Sequence, residues 1–126
     1  MKNIVSTPNA PASIGPFSQA VKANGFVFVS GQVAIDPATN KMIEGDVSAQ
    51  AERILLNIKA ILNAAGGGLD DVVRTGVYLR DMNNFAAMNA VYARFFSADF
   101  PARTTIEVSR LPLDVDIEMD VVAVAR

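Results

Sequence analysis

Histidine, cysteine and tryptophan are all missing from this chain of 126 residues. Without histidine there is no side chain that ordinarily titrates near neutrality, and the commonest metal ligand is gone. Without cysteine there are no disulfides, no thiolate nucleophile and no sulfur-ligated metal. Histidine-based triads, zinc-activated water and thiol chemistry are therefore excluded together, leaving carboxylates, arginine, hydroxyls and backbone groups for any reaction. No segment approaches the length of a membrane span. The opening residues MKNIVSTPNAP lack the apolar core of a signal peptide and the arginine-rich pattern of a transit peptide, so a soluble cytoplasmic protein is expected. Net charge is −2 with Lys and Arg scattered singly, so no basic stripe offers nucleic acid a footprint.

Apolar residues, by contrast, make up 51% of the chain against 19% charged. That is rich for one small domain, here residues 1–126, whose surface should demand more polar cover, and it points to an oligomer. Val121 to Val124 reinforce this, because a wholly apolar run puts such groups on both faces of a strand.

Taken in order, residues 1–20 hold Pro8, Pro11 and Pro16 with Gly15, which predicts an irregular arm with a turn at Ile14-Gly15-Pro16. Phe17 after that turn reads as an aromatic plug on the core. Phe26 to Ser30 reads as a buried strand ending at Ser30-Gly31-Gln32, where the glycine permits close approach to the backbone. Val33 to Lys41 gives a short strand and turn. Asp46 or Ser48 caps a helix whose apolar positions Ala51, Ile54, Leu55, Ile58, Leu62 and Ala65 keep helical spacing. It stops at Gly66-Gly67-Gly68, a C-cap rather than a phosphate cradle, since those glycines follow a helix and lack the cradle's lysine. Val72 to Arg80 is a strand with Val73, Thr75, Val77 and Leu79 on one face. Asp81 and Asn83 are placed to cap a second helix, about Phe85 to Phe96, with Phe85, Met88, Tyr92, Phe95 and Phe96 as its stripe and Asn89 as a polar member needing a partner.

The last stretch, Pro101 to Arg126, reads as two strands around a Leu-Pro-Leu-Asp turn. Period two places Arg103, Thr105, Glu107 and Ser109 on one face of the first, and Asp116, Glu118 and Asp120 on one face of the second. An arginine entering a strand that carries hydroxyls and a carboxylate is a seat for a small carboxylate ligand, since its planar fork holds both oxygens. A solvated sheet face with one ion pair is the plainer reading of the same pattern. The predicted order is β-β-α-β-α-β-β, an α+β domain with helices on one sheet face. The other sheet face then needs cover, which subunits packing sheet to sheet would give.

The segments IGPFSQA (14–20), SGQ (30–32), DVSAQA (46–51), FAAMNAVYARFF (85–96) and PARTTIEVSRLPLDVDIEMDVVA (101–123) closely resemble the RidA family, also called the YjgF family. The resemblance spans essentially the whole chain. It implies a chorismate-mutase-like (YjgF-like) fold, a homotrimer with sheets packed around an axis and sites at the subunit interfaces, and separation of the last two strands within the sheet. It also implies cofactor-independent hydrolytic deamination of enamines and imines such as 2-aminoacrylate and 2-iminobutanoate, to 2-oxo acids and ammonia. By this resemblance Arg103 would hold the substrate carboxylate and Glu118 would position or activate the water. Thr105 takes a position often held by cysteine, whose backbone faces the substrate. Ser30 and Gly31 lie near the imine end, Asn89 borders the cleft, and Phe17 stands where tyrosine is common. The missing phenol is the main departure. Acidic neighbours Asp116 and Asp120 are expected to raise the pKa of Glu118. No metal is implied. Three alternatives stand beside this reading: a trimer that binds 2-oxo acids without turnover, an endoribonuclease that inhibits translation, and a deaminase devoted to one catabolic route.

Overall fold

The computed structural model describes residues 1–96 and 98–126. Its strands are β1 (Asn3–Val5), β2 (Ala20–Ala23), β3 (Phe26–Gln32), β4 (Ile35–Asp36), β5 (Lys41–Met42), β6 (Val72–Leu79), β7 (Ala102–Glu107) and β8 (Ile117–Val124). Two helices, α1 (Val47–Ala64) and α2 (Phe85–Phe95), flank β6 in the chain.

Helix α1 forms where the apolar spacing predicts it. The Asp46 carboxylate accepts the Ala49 N–H at 3.0 Å, satisfying a backbone donor the first turn leaves free. Ile54, Leu55, Ile58 and Ile61 are wholly buried, and each such side chain contributes about 1.5–3 kcal/mol on leaving water. Gly66, at φ +92°, takes the left-handed conformation that ends the helix. Two amides on its buried side do work the apolar pattern conceals. The Asn57 side chain donates to the Ile35 carbonyl at 2.8 Å, tying β4 to the helix. The Gln50 amide donates to an Asp116 carboxylate oxygen at 2.9 Å and accepts the Asp116 N–H at 3.2 Å, anchoring the segment that leads into β8.

The main sheet runs β1-β2-β3-β8-β6-β7, with β6 and β7 parallel and every other pair antiparallel; β4 and β5 form a separate two-stranded ladder. The last two strands are thus not a hairpin, since β6 lies between them, as the family resemblance implies. Val27, Val29, Val77, Leu79, Ile117, Met119, Val121 and Ala123 point to the helices and form the core.

Four local expectations are corrected. The N-terminal arm is not irregular throughout, because Asn3–Val5 pairs with Ala20–Ala23 along the sheet edge. Strand β3 is buried on one face only: Phe26 and Phe28 are 41% and 47% exposed, opposite Val124 and Val122 on the helix-free face. Val73 leaves the row of Thr75, Val77 and Leu79 because the β6–β8 register shifts between Val72 and Arg74, turning its side chain outward. Asp81 caps the short 3₁₀ turn Met82–Asn84, accepting the Asn83 N–H at 2.9 Å, while α2 itself starts at Asn84 without a side-chain cap.

Candidate active site

The predicted site residues fall into two clefts on opposite faces of the sheet. Pairing partners in adjacent strands share a face. Arg103 pairs with Thr75, which is buried under the helices, so Arg103 lies on the helix side of edge strand β7. Glu118 pairs with Tyr78 and lies on the open side.

The first cleft, about 340 Å³, is lined by Asn89, Tyr92 and Ala93 of α2 with Phe100, Pro101 and Arg103. The Arg103 guanidinium sits 4.7 Å from the Tyr92 ring centroid and 5.6 Å from that of Phe85, with one terminal nitrogen 3.9 Å from the Met88 sulfur. Rings at that range hold a cation in place and leave its hydrogen-bonding edge free. Two residues of the predicted core stripe, Tyr92 and Phe85, therefore serve as the arginine's seat. The Tyr92 hydroxyl pairs with Thr75 Oγ1 at 2.9 Å, which fixes the ring. Burial pushes the Tyr92 phenol above its ordinary pKa, opposed by the Thr75 hydrogen bond and the Arg103 charge, so it stays neutral. No carboxylate pairs with Arg103 among the described residues. Thr105, two residues on and on the same face, has a buried hydroxyl with no hydrogen-bond partner among them. Such a group ordinarily costs about 1–3 kcal/mol.

The second cleft, about 460 Å³, brings together Phe17, Ser30, Gly31 and Glu118 with apolar side chains from the N-terminal arm and from the turn before β8. The Glu118 carboxylate lies over Gly31: a Cβ added there would overlap its oxygen and sit 3.0 Å from its Cδ. Only glycine leaves that space. Burial pushes the Glu118 carboxyl above its ordinary pKa, and the Asp120 carboxylate two residues along raises it further. Asp116, expected to share in this, is instead engaged by Arg80 at 2.9 Å and by Gln50. Asp120 accepts a hydrogen bond from the Tyr78 hydroxyl at 3.0 Å, in space left open by Gly76. Ser30 donates to the Ser18 carbonyl at 2.6 Å, so its hydroxyl braces the arm. Phe17 is no core plug: half its surface is exposed and its ring lines the cleft.

Gln19, which the sequence reading did not single out, organises the arm around this cleft. It is 5% exposed; its oxygen accepts the Thr7 N–H at 2.7 Å, and its nitrogen reaches the carbonyls of Thr7, Ala10 and Pro11 at 2.8–3.3 Å. A lone glutamine among prolines and serines carries no periodic signal, so only its buried position reveals it.

A mixed sheet with helices on one side, an aromatic-seated arginine in one cleft and a raised-pKa carboxyl in another define a small α+β domain with two candidate ligand clefts. The family model described as Endoribonuclease L-PSP matches residues 7–125. A RutC family protein of Pyrococcus horikoshii is 54% identical, with 98% of each chain covered. A 2-iminobutanoate/2-iminopropanoate deaminase of Salmonella typhimurium is 49% identical over the full length of both chains. The crystal structure of the YjgF gene product of E. coli superposes with a TM-score of 0.94 at 46% identity, covering 98% of this chain and 99% of the other. The chain belongs to the RidA/YjgF family.

Proposed function

We propose that this protein hydrolyses reactive 2-imino acids and their enamine tautomers to 2-oxo acids and ammonia, a reading supported by the Salmonella relative named 2-iminobutanoate/2-iminopropanoate deaminase. The observation that carries this reading is the Arg103 guanidinium, held against two rings with no carboxylate partner among the described residues. A guanidinium so held suits an anionic ligand group. A planar carboxylate takes both of its outer N–H donors.

Arg103 and Glu118 face opposite sides of the sheet, so one chain does not bring them to the same ligand. A homotrimer resolves this, with the Arg103 cleft of one copy meeting the Glu118 cleft of the next. The exposed Phe26, Phe28 and Val124 on the open face supply apolar surface for such packing. In the joined site Arg103 fixes the substrate carboxylate and thereby the imine carbon. Glu118 takes a proton from water as its oxygen bonds to that carbon, and the C=N π electrons move to nitrogen, which takes up a proton from solvent. Glu118 then returns its proton to the amine nitrogen of the carbinolamine, ammonia leaves by C–N cleavage, and the hydroxyl proton passes to solvent as the C=O forms. An imine hydrolyses in water unaided, so orientation and charge placement suffice for acceleration.

The test generates 2-iminobutanoate in situ with a threonine dehydratase and follows its loss with and without this protein, beside Arg103→Ala. Acceleration that disappears in the variant is expected. No acceleration by the folded oligomer would overturn the hydrolase reading and leave a 2-oxo acid binder, which Phe17, lacking the phenol hydroxyl common at its position, would suit.

A further inference from the structure

The geometry points to Leu113 as a specificity-determining residue, forming with Ile14 and Phe17 an apolar subsite beside Glu118 that takes the side chain of imino acids larger than the three- and four-carbon ones. This rests on the function proposed above.

Leu113 is not placed by packing. Its neighbours Leu111 and Val115 are buried, whereas Leu113 is 62% exposed. Its backbone is left-handed at φ +59°, ψ +17°, and Asp114 follows at φ +53°. Two successive left-handed residues that are not glycine are rare and persist only where their surroundings enforce them. Here they are enforced. Arg80 donates to the Asp114 carbonyl at 3.0 Å and Arg110 to the Asp114 carboxylate at 3.0 Å, while the Asp114 N–H reaches the Leu111 carbonyl at 3.1 Å. The outcome is a leucine side chain held out at the wall of the Glu118 cleft.

Ile14 and Phe17, which line the same cleft, are also apolar and exposed, at 77% and 50%. Three polar members of the lining are already committed, Gln19 and Ser30 to the arm's carbonyls and Gln32 to the Ser30 carbonyl at 3.3 Å, which leaves the small Ser13 hydroxyl and the Glu118 carboxyl as the polar side-chain groups free to meet a ligand. Glu118 is the charged group among the lining residues, and it repels a ligand carboxylate. This cleft therefore cannot seat the end of the substrate that Arg103 holds. What remains for it is the imine carbon at Glu118 and whatever hydrocarbon hangs from that carbon.

The experiment compares the intact protein with Leu113→Asn, since asparagine tolerates the left-handed backbone and removes the apolar wall. Two ratios are read. One is kcat/KM for the leucine-derived imine over that for the alanine-derived imine, each released by an amino-acid oxidase. The other is the Kd of pyruvate over that of 4-methyl-2-oxopentanoate by calorimetry, which needs no turnover. Both ratios are expected to exceed one in the intact protein and to fall about tenfold in the variant, the low end of what an apolar pocket discriminates for a single methylene and so a modest share of the three-carbon difference between these ligands. Equal losses for both ligands, or unchanged ratios, would overturn the assignment. Failure of the hydrolase reading shows separately, as absent turnover beside an affinity ratio that still responds to Leu113.

Discussion

Gly31→Ala isolates the carboxylate at the proposed reaction centre without touching it. Gly31 has no positive φ, so its backbone accepts alanine, and the three atoms nearest the new methyl group all belong to Glu118. The Glu118 Cδ would stand 3.0 Å from the new Cβ, where carbons settle at about 3.5–4.0 Å, and a carboxylate oxygen would overlap it outright. The carboxylate must therefore swing aside by about 1 Å, and a misplacement of that size costs on the order of 100-fold in rate. That corresponds to about 2.7 kcal/mol of transition-state stabilisation. Stability should change little, within about 0.5 kcal/mol, because the far end of one flexible side chain gives way and no core atom moves. The assay pairs thermal unfolding with the rate of 2-iminobutanoate loss and calorimetric binding of 2-oxobutanoate. Folding and ligand affinity largely kept, with kcat reduced about 100-fold, is the expected pattern. A variant with the parent's kcat would refute the placing of Glu118 over the reacting carbon, whatever Arg103 does.

Asp120→Asn probes the tuning of the same group. A base with a raised pKa loses activity as pH falls through that raised value, so the acid limb of kcat/KM should lie above the ordinary carboxylate range. Removing the Asp120 charge moves the limb to lower pH but not back to the ordinary value, because burial is the larger cause; a limb that stays put would discard Asp120 as a contributor. The stability sign follows from the same shift: between the ordinary and raised pKa the folded chain binds the extra proton, so Glu118's share of stability declines as pH rises through that window. Gln19→Ala should destabilise by about 2–4 kcal/mol in urea unfolding, since a buried N–H and three carbonyls lose their partner. A loss under about 0.5 kcal/mol would mean that water replaces the amide at no cost.

Helix α1 was legible to its caps because its apolar spacing, Asp46 and the glycines all give the same answer. Strand β8 was legible too, from alternation that turns apolar. Topology was not: period-two patterns in β7 and β8 suit a hairpin as well as two strands parted by β6, and only the family resemblance separated them. Burial of β3 was misjudged because Phe26-Val-Phe-Val reads alike for a strand covered on both faces and for one whose second face lies open in the single chain. At the site, residue types were readable but their sides were not. Parity along β8 grouped Asp116 with Glu118, yet parity says nothing about Gln50 and Arg80, which claim Asp116 from other elements. Phe85 and Tyr92 fitted a core stripe, and no one-dimensional pattern separates a ring that packs on leucine from one that carries a guanidinium.

The position of β8 has a bearing on how the molecule assembles. It joins two pieces that precede it in the chain: the meander β1-β2-β3 on one flank and the parallel pair β6-β7 on the other. Until β8 inserts, each piece presents an open edge of unpaired backbone groups to its surroundings, the kind of template on which chains pair with one another. Closing that gap from both sides at once demands contacts far apart in sequence, which slows folding. The same strand carries Glu118 and Asp120, so closing the sheet also puts the proposed base and its acidic neighbour in place.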